Sequence, residues 1–157
     1  MTWRVIAVAA VIITVVVYAV GSGAWVSTGG AWYLSLDQPW WQPPPWVFGV
    51  IWPYNFVALA VVGSVLAWSA APDRVIAVIA LLALTVVLAI AWAYLFYVPH
   101  ELTWAAIALT SAAVLTLPLT VIAFAERWWL GALLVPYQVW LGLAASLSWG
   151  YVARAAT

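Results

Sequence analysis

Apolar residues fall into five long blocks separated by four polar or Pro/Gly-containing interruptions. The blocks run from Trp3 to about Ala24, about Trp46 to Trp68, about Val75 to Val98, Trp104 to about Phe124, and Trp128 to about Val152. Each matches or exceeds the ~20 apolar residues that carry a helix across the hydrocarbon core. Charged residues punctuate the blocks rather than enter them. Asp37, Asp73–Arg74, His100–Glu101 and Glu126–Arg127 lie between blocks, and Arg4 and Arg154 lie near the chain ends. The absence of an ionisable group from the middle of any block argues against a proton relay or an ion pathway. The pattern predicts an all-α fold, an integral membrane bundle of five transmembrane helices forming a single domain over residues 1–157. The first block is long for a signal peptide and reads as a span.

Three of the connections are short, so neighbouring helices should run antiparallel. The first, residues 25–45, is longer and holds Gly29–Gly30, Asp37 and a Pro/Trp cluster. A long loop in a compact protein is more often functional than idle. The arginines suggest the orientation. Arg4, Arg74 and Arg127 would share one side, against Arg154 on the other. That bias places the N-terminus in the cytoplasm and the first loop and C-terminus outside.

Composition sharpens this picture. The chain is 69% hydrophobic and only 5% charged over 157 residues. A water-soluble fold of that size could not hide so much apolar surface, so lipid must be the solvent for much of it. Four Arg balance four acids, which removes the basic stripe a nucleic-acid partner requires. No Cys is present, which excludes disulfides, thiolate nucleophiles and Cys-based metal sites. Trp is heavily over-represented, with fourteen residues. Interfacial belts favour Trp and account for several of these, but not all.

The aromatic residues cluster. DQPWWQPPPWVFGVIW, residues 37–52, holds four Pro and four Trp. Pro43–Pro44–Pro45 must be extended, and the last of them suits the first turn of the second span. The cluster reads either as an interfacial belt or as the rim of a binding site. Within the second span, Phe48, Trp52 and Phe56 share one face, and Pro53 should bend the helix beside them. In the fifth span, Trp140, Ala144 and Leu147 share a face on which a large ring above a small residue leaves a recess suited to a flat apolar ligand. Gly142, Ser146 and Gly150 form a second, small-residue face, expected to pack against a neighbouring helix. His100 and Glu101 are the only adjacent pair suited to acid–base or metal chemistry. One His and one Glu do not close a metal site, so no metal is expected, and His100 offers at most one axial contact to a haem iron. No phosphate loop or hydrolase triad can be assembled.

Three blocks carry a resemblance. WYLSLDQPWWQPPPWVFGVIW, residues 32–52, follows the pattern W-Y-x-S-L-x-x-P-x-W-x-P-P-x-W-x-x-x-x-I-W. Ala91–Trp92–Ala93–Tyr94, with Phe96–Tyr97, falls on an Asn-Trp-x-x-aromatic run. PYQVWLGLAASLSWGYV, residues 136–152, falls on P-Y-x-x-W-x-x-x-A-x-x-L-N. Together they make the chain resemble the translocator protein / tryptophan-rich sensory protein (TspO/MBR, peripheral benzodiazepine receptor) family, as a divergent bacterial member.

The resemblance implies a homodimeric five-helix bundle, in a bacterial inner membrane, with a pocket capped by the first loop. It implies a binder of flat hydrophobic ligands, foremost tetrapyrroles such as protoporphyrin IX and haem, acting in transport, sequestration or stress sensing, with no cofactor required. By the same resemblance Trp32, Tyr33, Trp41 and Pro44 belong to the lid. Phe48, Gly49, Ile51, Trp52 and Phe56 would come from the second span, Trp92 from the third and Trp104 from the fourth. Trp140, Ala144 and Leu147 would complete the pocket from the fifth. Ala91 and Ser148 stand where the family has Asn, Pro53 where it has a small or polar residue, and an acidic residue of the fourth span has no counterpart near Ile107–Ala108. A more apolar pocket with fewer donors should follow. Two other readings stand beside this one: light-dependent, Trp-assisted porphyrin breakdown, and an accessory structural subunit of a larger membrane complex.

Overall fold

The structure, a computed structural model, describes residues 1–26 and 30–155. Its helices are α1 (Thr2–Val26), α2 (Gly30–Ser35), α3 (Pro45–Ser69), α4 (Pro72–Tyr97), α5 (Leu102–Glu126) and α6 (Trp128–Ala155). All but α2 are long and apolar enough to cross a membrane. The five spans therefore follow the hydrophobic pattern, with every end within three residues of that read from it. The six-residue α2 inside the first loop was not foreseen. Part of that loop, residues 27–29 with Gly29, lies outside the described residues.

The helix ends follow local chemistry. Pro45 and Pro72 begin α3 and α4, where a missing N–H costs nothing, and Asp73 adds a carboxylate to the first turn of α4. His100 turns the chain from α4 into α5 at a φ of 59°, a left-handed conformation that His adopts more readily than most residues. The Glu101 amide then donates to the Leu95 carbonyl at 2.8 Å and closes the end of α4. Pro53, Pro118 and Pro136 lie inside α3, α5 and α6, and each helix continues through its proline.

The spans close into a ring in the order α1–α4–α5–α6–α3. Val11, Tyr18, Leu66, Val78, Leu130, Leu134 and Leu141 are fully buried along its axis. From 28% of an apolar 18-residue stretch of α1 to 44% of that of α6 is buried inside the protein, which leaves every span surface for lipid. A second, smaller cluster of Phe96, Ala105 and Tyr151 forms under the first loop, with Trp32, Tyr33 and Tyr97 packed against it.

Candidate functional site

Between that loop and the ring axis lies a cavity of about 520 Å³. This falls within the ~300–1,000 Å³ of small-molecule sites. Four segments wall it. The first loop contributes Tyr33 and Leu34 from α2, then Gln38, Gln42 and Pro43–Pro44–Pro45. Phe48 and Trp52 come from α3, Trp92, Phe96 and Tyr97 from α4, and Trp140, Ala144, Leu147, Ser148 and Tyr151 from α6. Val26 and Gly30 complete the rim. Among the described residues, the lining carries no carboxylate, imidazole or cationic side chain.

Ring packing sets the floor. Trp52 meets Trp140 edge-on at 6.3 Å, Phe48 meets Trp140 edge-on at 5.1 Å, and Trp52 stacks on Phe56 at 5.7 Å. Such pairs add about 0.5–1.5 kcal/mol each beyond the area they bury, and they fix ring planes. Trp92 is oriented by its indole N–H, which donates to Ser148 Oγ at 3.0 Å. A shorter hydroxyl side chain thus occupies one of the two expected Asn positions and anchors the wall. Ala91, at the other, does not line the cavity.

The loop is fastened to α6. Trp41 Nε1 donates to Ser146 Oγ at 3.2 Å, and the Tyr151 hydroxyl donates to Gln42 Oε1. Arg154 Nε lies 3.5 Å from Asp37 Oδ2, and its guanidinium sits 5.4 Å from the Trp41 ring centre. A Cβ on Gly150 would come within 2.8 Å of Pro39 and 2.9 Å of Trp41, so only Gly lets the loop lie this close. The small-residue face of the fifth span therefore seats the loop at Ser146 and Gly150, instead of a neighbouring helix. A Cβ on Gly142, on that same face, would meet nothing within 4 Å.

The structure brings together Tyr33, Pro44, Phe48, Trp52, Trp92, Trp140, Ala144 and Leu147 around the cavity. The other expected residues lie elsewhere. Trp32 sits above the cavity, stacked on His100 at 3.8 Å and edge-on to Phe96. Trp41 lies outside on α6, Gly49 and Ile51 do not reach the lining, and Phe56 lies one turn below the floor. Trp104 is 62% exposed on α5, a helix that contributes nothing to the lining. His100, considered for haem iron, does not line the cavity either; its ring stacks on Trp32. Sequence reasoning missed Phe96, Tyr97, Tyr151, Gln38 and Gln42 as lining residues. Two had a signal: Phe96 is four residues beyond Trp92, and Tyr151 is four beyond Leu147, so each continues a face already identified.

Fold and site together define a polytopic helical membrane protein with an aromatic cavity under a fastened loop. Residues 7–154 match the model of the TspO/MBR family, and the chain belongs to that family. It is 27% identical to Protein CrtK of Rhodobacter capsulatus over 130 residues, 82% of this chain and 81% of that protein. It is 28% identical to the human Translocator protein, over 83% of this chain and 78% of that one. It is 29% identical to the Tryptophan-rich sensory protein of Cereibacter sphaeroides, over 74% and 72%. The chain is an integral membrane protein, with lipid as its surroundings.

Proposed function

We propose that the cavity binds a flat hydrophobic ligand, foremost a tetrapyrrole such as protoporphyrin IX, for transport, sequestration or sensing. The observation that carries this reading is the aromatic lining, in which Phe48, Trp52, Trp92 and Trp140 surround 520 Å³ of space under the Pro43–Pro45 arch. A flat ring inserted there exchanges water and lipid contacts for aromatic faces, and the loop excludes water above it. A macrocycle bearing carboxylates would keep its charged edge at the loop, beside Gln38 and Gln42, because the deeper wall offers no cation. With no imidazole among the described lining residues, a metal-free ring suits the site better than one that needs an axial imidazole. The working protein on this reading is a homodimer in a bacterial inner membrane, with the N-terminus cytoplasmic and the first loop outside.

Titration of the purified protein with protoporphyrin IX, followed by Trp fluorescence, tests the reading. Trp52→Ala and Trp140→Ala should each weaken binding by about tenfold or more, ~1.4 kcal/mol. Trp104→Ala should leave it unchanged. Equal affinity in all three variants would remove the cavity as the site.

A further inference from the structure

Directly beneath the aromatic floor the bundle axis changes character. Leu59, Leu82, Leu119 and Leu134 surround one small gap, so they mark a level at which α3, α4, α5 and α6 face each other. One helical turn from these leucines toward the loop stand Asn55, Thr85, Thr116 and Tyr137, each on the same face as its leucine. Their exposures are 0%, 0%, 1% and 1%. Tyr18 of α1 is equally buried, with its ring edge-on to Trp52 and Phe56. Its hydroxyl neighbours that of Tyr137 without a well-formed hydrogen bond between them. Every span thus supplies at least one polar side chain to the same level.

The two sides of this layer differ. On the α5–α6 side the protein satisfies itself. Thr116 Oγ1 lies 2.6 Å from Gln138 Oε1 and 2.8 Å from the Ala113 carbonyl, and Gln138 Nε2 donates to that carbonyl at 2.9 Å. On the other side nothing is closed. Among the described residues, Asn55 Nδ2 and Oδ1, Thr85 Oγ1 and the hydroxyls of Tyr18 and Tyr137 make no well-formed hydrogen bond, the two tyrosines being at most each other's neighbours. Thr85 is telling, because Thr14, Thr110, Thr120, Ser22, Ser69 and Ser111 all donate to the carbonyl four residues back. Thr85 has a carbonyl at the same offset and does not use it. In a membrane interior no bulk solvent can reach such groups, and leaving them bare is costly.

We propose that Asn55, Thr85, Tyr137 and Tyr18 form an internal hydration site that binds ordered water on the bundle axis, closed off from the cavity by the rings of Trp52, Phe56 and Trp140. The ligand must be small, must both donate and accept, and must be neutral. Asn55 presents amide donors and an acceptor, the three hydroxyls present both, and none of the four carries charge at neutral pH. Water meets all three conditions, and a buried water needs two to four polar partners of this kind. A bare cation would find no carboxylate here. Bridging water ties α1, α3, α4 and α6 together just below the level where the cavity removes packing atoms. The site does not depend on what the cavity above it binds.

Hydroxyl-radical footprinting of the full chain in nanodiscs reads this directly, since radicals formed from bound water oxidise adjacent buried rings. Tyr18 and Tyr137 should be labelled nearly as fast as the exposed Tyr94, and Asn55→Leu should reduce both to the background of the buried core. Absence of labelling at both rings in the unmodified protein would overturn the proposal. Melting in detergent gives an independent sign. If water is held, Asn55→Leu and Thr85→Val lower Tm, because displacing it strands the tyrosine hydroxyls. If the layer is dry, both raise Tm by removing an unpartnered group, and the proposal fails. Should Asn55→Leu not fold, the footprint of the unmodified chain and the Tm of Thr85→Val decide.

Discussion

Gly63 and Gly142 both lie inside long helices, yet a Cβ on Gly63 would fall 2.6 Å from Val11 whereas one on Gly142 meets nothing within 4 Å. Gly142 faces outward, but a like contrast between filled and open space runs through the interior. Away from the loop, the bundle is closed by Leu, Val, Ala and close-approaching glycines such as Gly63. Beneath the loop, the same helices carry Trp, Tyr and Phe, which enclose space instead of filling it. Rings are large and rigid, so a few of them facing each other across a bundle leave gaps that aliphatic side chains would close. The stability of the molecule therefore resides mainly in the first region and its recognition surface in the second.

Substitutions that should act on one region and spare the other can break this contrast. The largest effect is expected at Gly63→Leu, where added carbons meet a buried Val11 and overpacking costs about 3 kcal/mol. Gly142→Leu should change stability by no more than ~0.5 kcal/mol. Unfolding of both variants in mixed micelles checks the pair. Next comes truncation of leucines on one helix. Leu134→Ala, at 0% exposure, should cost about 3 kcal/mol, while Leu147→Ala, which removes atoms already facing the cavity, should cost only ~1 kcal/mol. Equal losses in the two would mean that the cavity is collapsed in the membrane.

Smaller effects concern the fastening of the loop. Gly150→Leu should displace Pro39 and Trp41 while leaving the helices assembled, seen as faster proteolysis of the first loop with an unchanged helical circular-dichroism signal. Arg154→Gln removes one half-exposed ion pair and a ring contact, so the loop should loosen by no more than about 1 kcal/mol. The smallest change is expected at Arg74→Gln, far from the loop. Its partner Glu126 is reached at the membrane surface, where such pairs contribute ~0–1 kcal/mol and weaken with salt.

The spans were legible because a membrane demands about 20 consecutive apolar residues, and this demand is visible in any window. Their ends were less so, since the last turns at Pro72, Leu102 and Ala155 leave the hydrocarbon and lose that signal. The walls of the cavity were legible where one helix repeats a face, as for Phe48–Trp52 and Trp140–Ala144–Leu147. Side chains whose role depends on contacts across the fold were not. Trp41 and Trp52 are the same residue type eleven positions apart, yet one clasps the outside of α6 and the other floors the cavity. The GAWYLS helix is too short to show a period, and the seat for the loop on Ser146 and Gly150 looks from sequence like any small-residue helix contact. Asn55, Thr85 and Tyr137 are spread over three helices, and nothing in their spacing announces that they share a level.

A density map of the protein saturated with protoporphyrin IX tests the central claim most directly. A macrocycle is expected between Trp52, Trp92 and Trp140 under Pro43–Pro45, with its carboxylates toward Gln38 and Gln42. A macrocycle on the lipid face beside Trp104, with the cavity left free of it, would mean that the cavity is not the binding site.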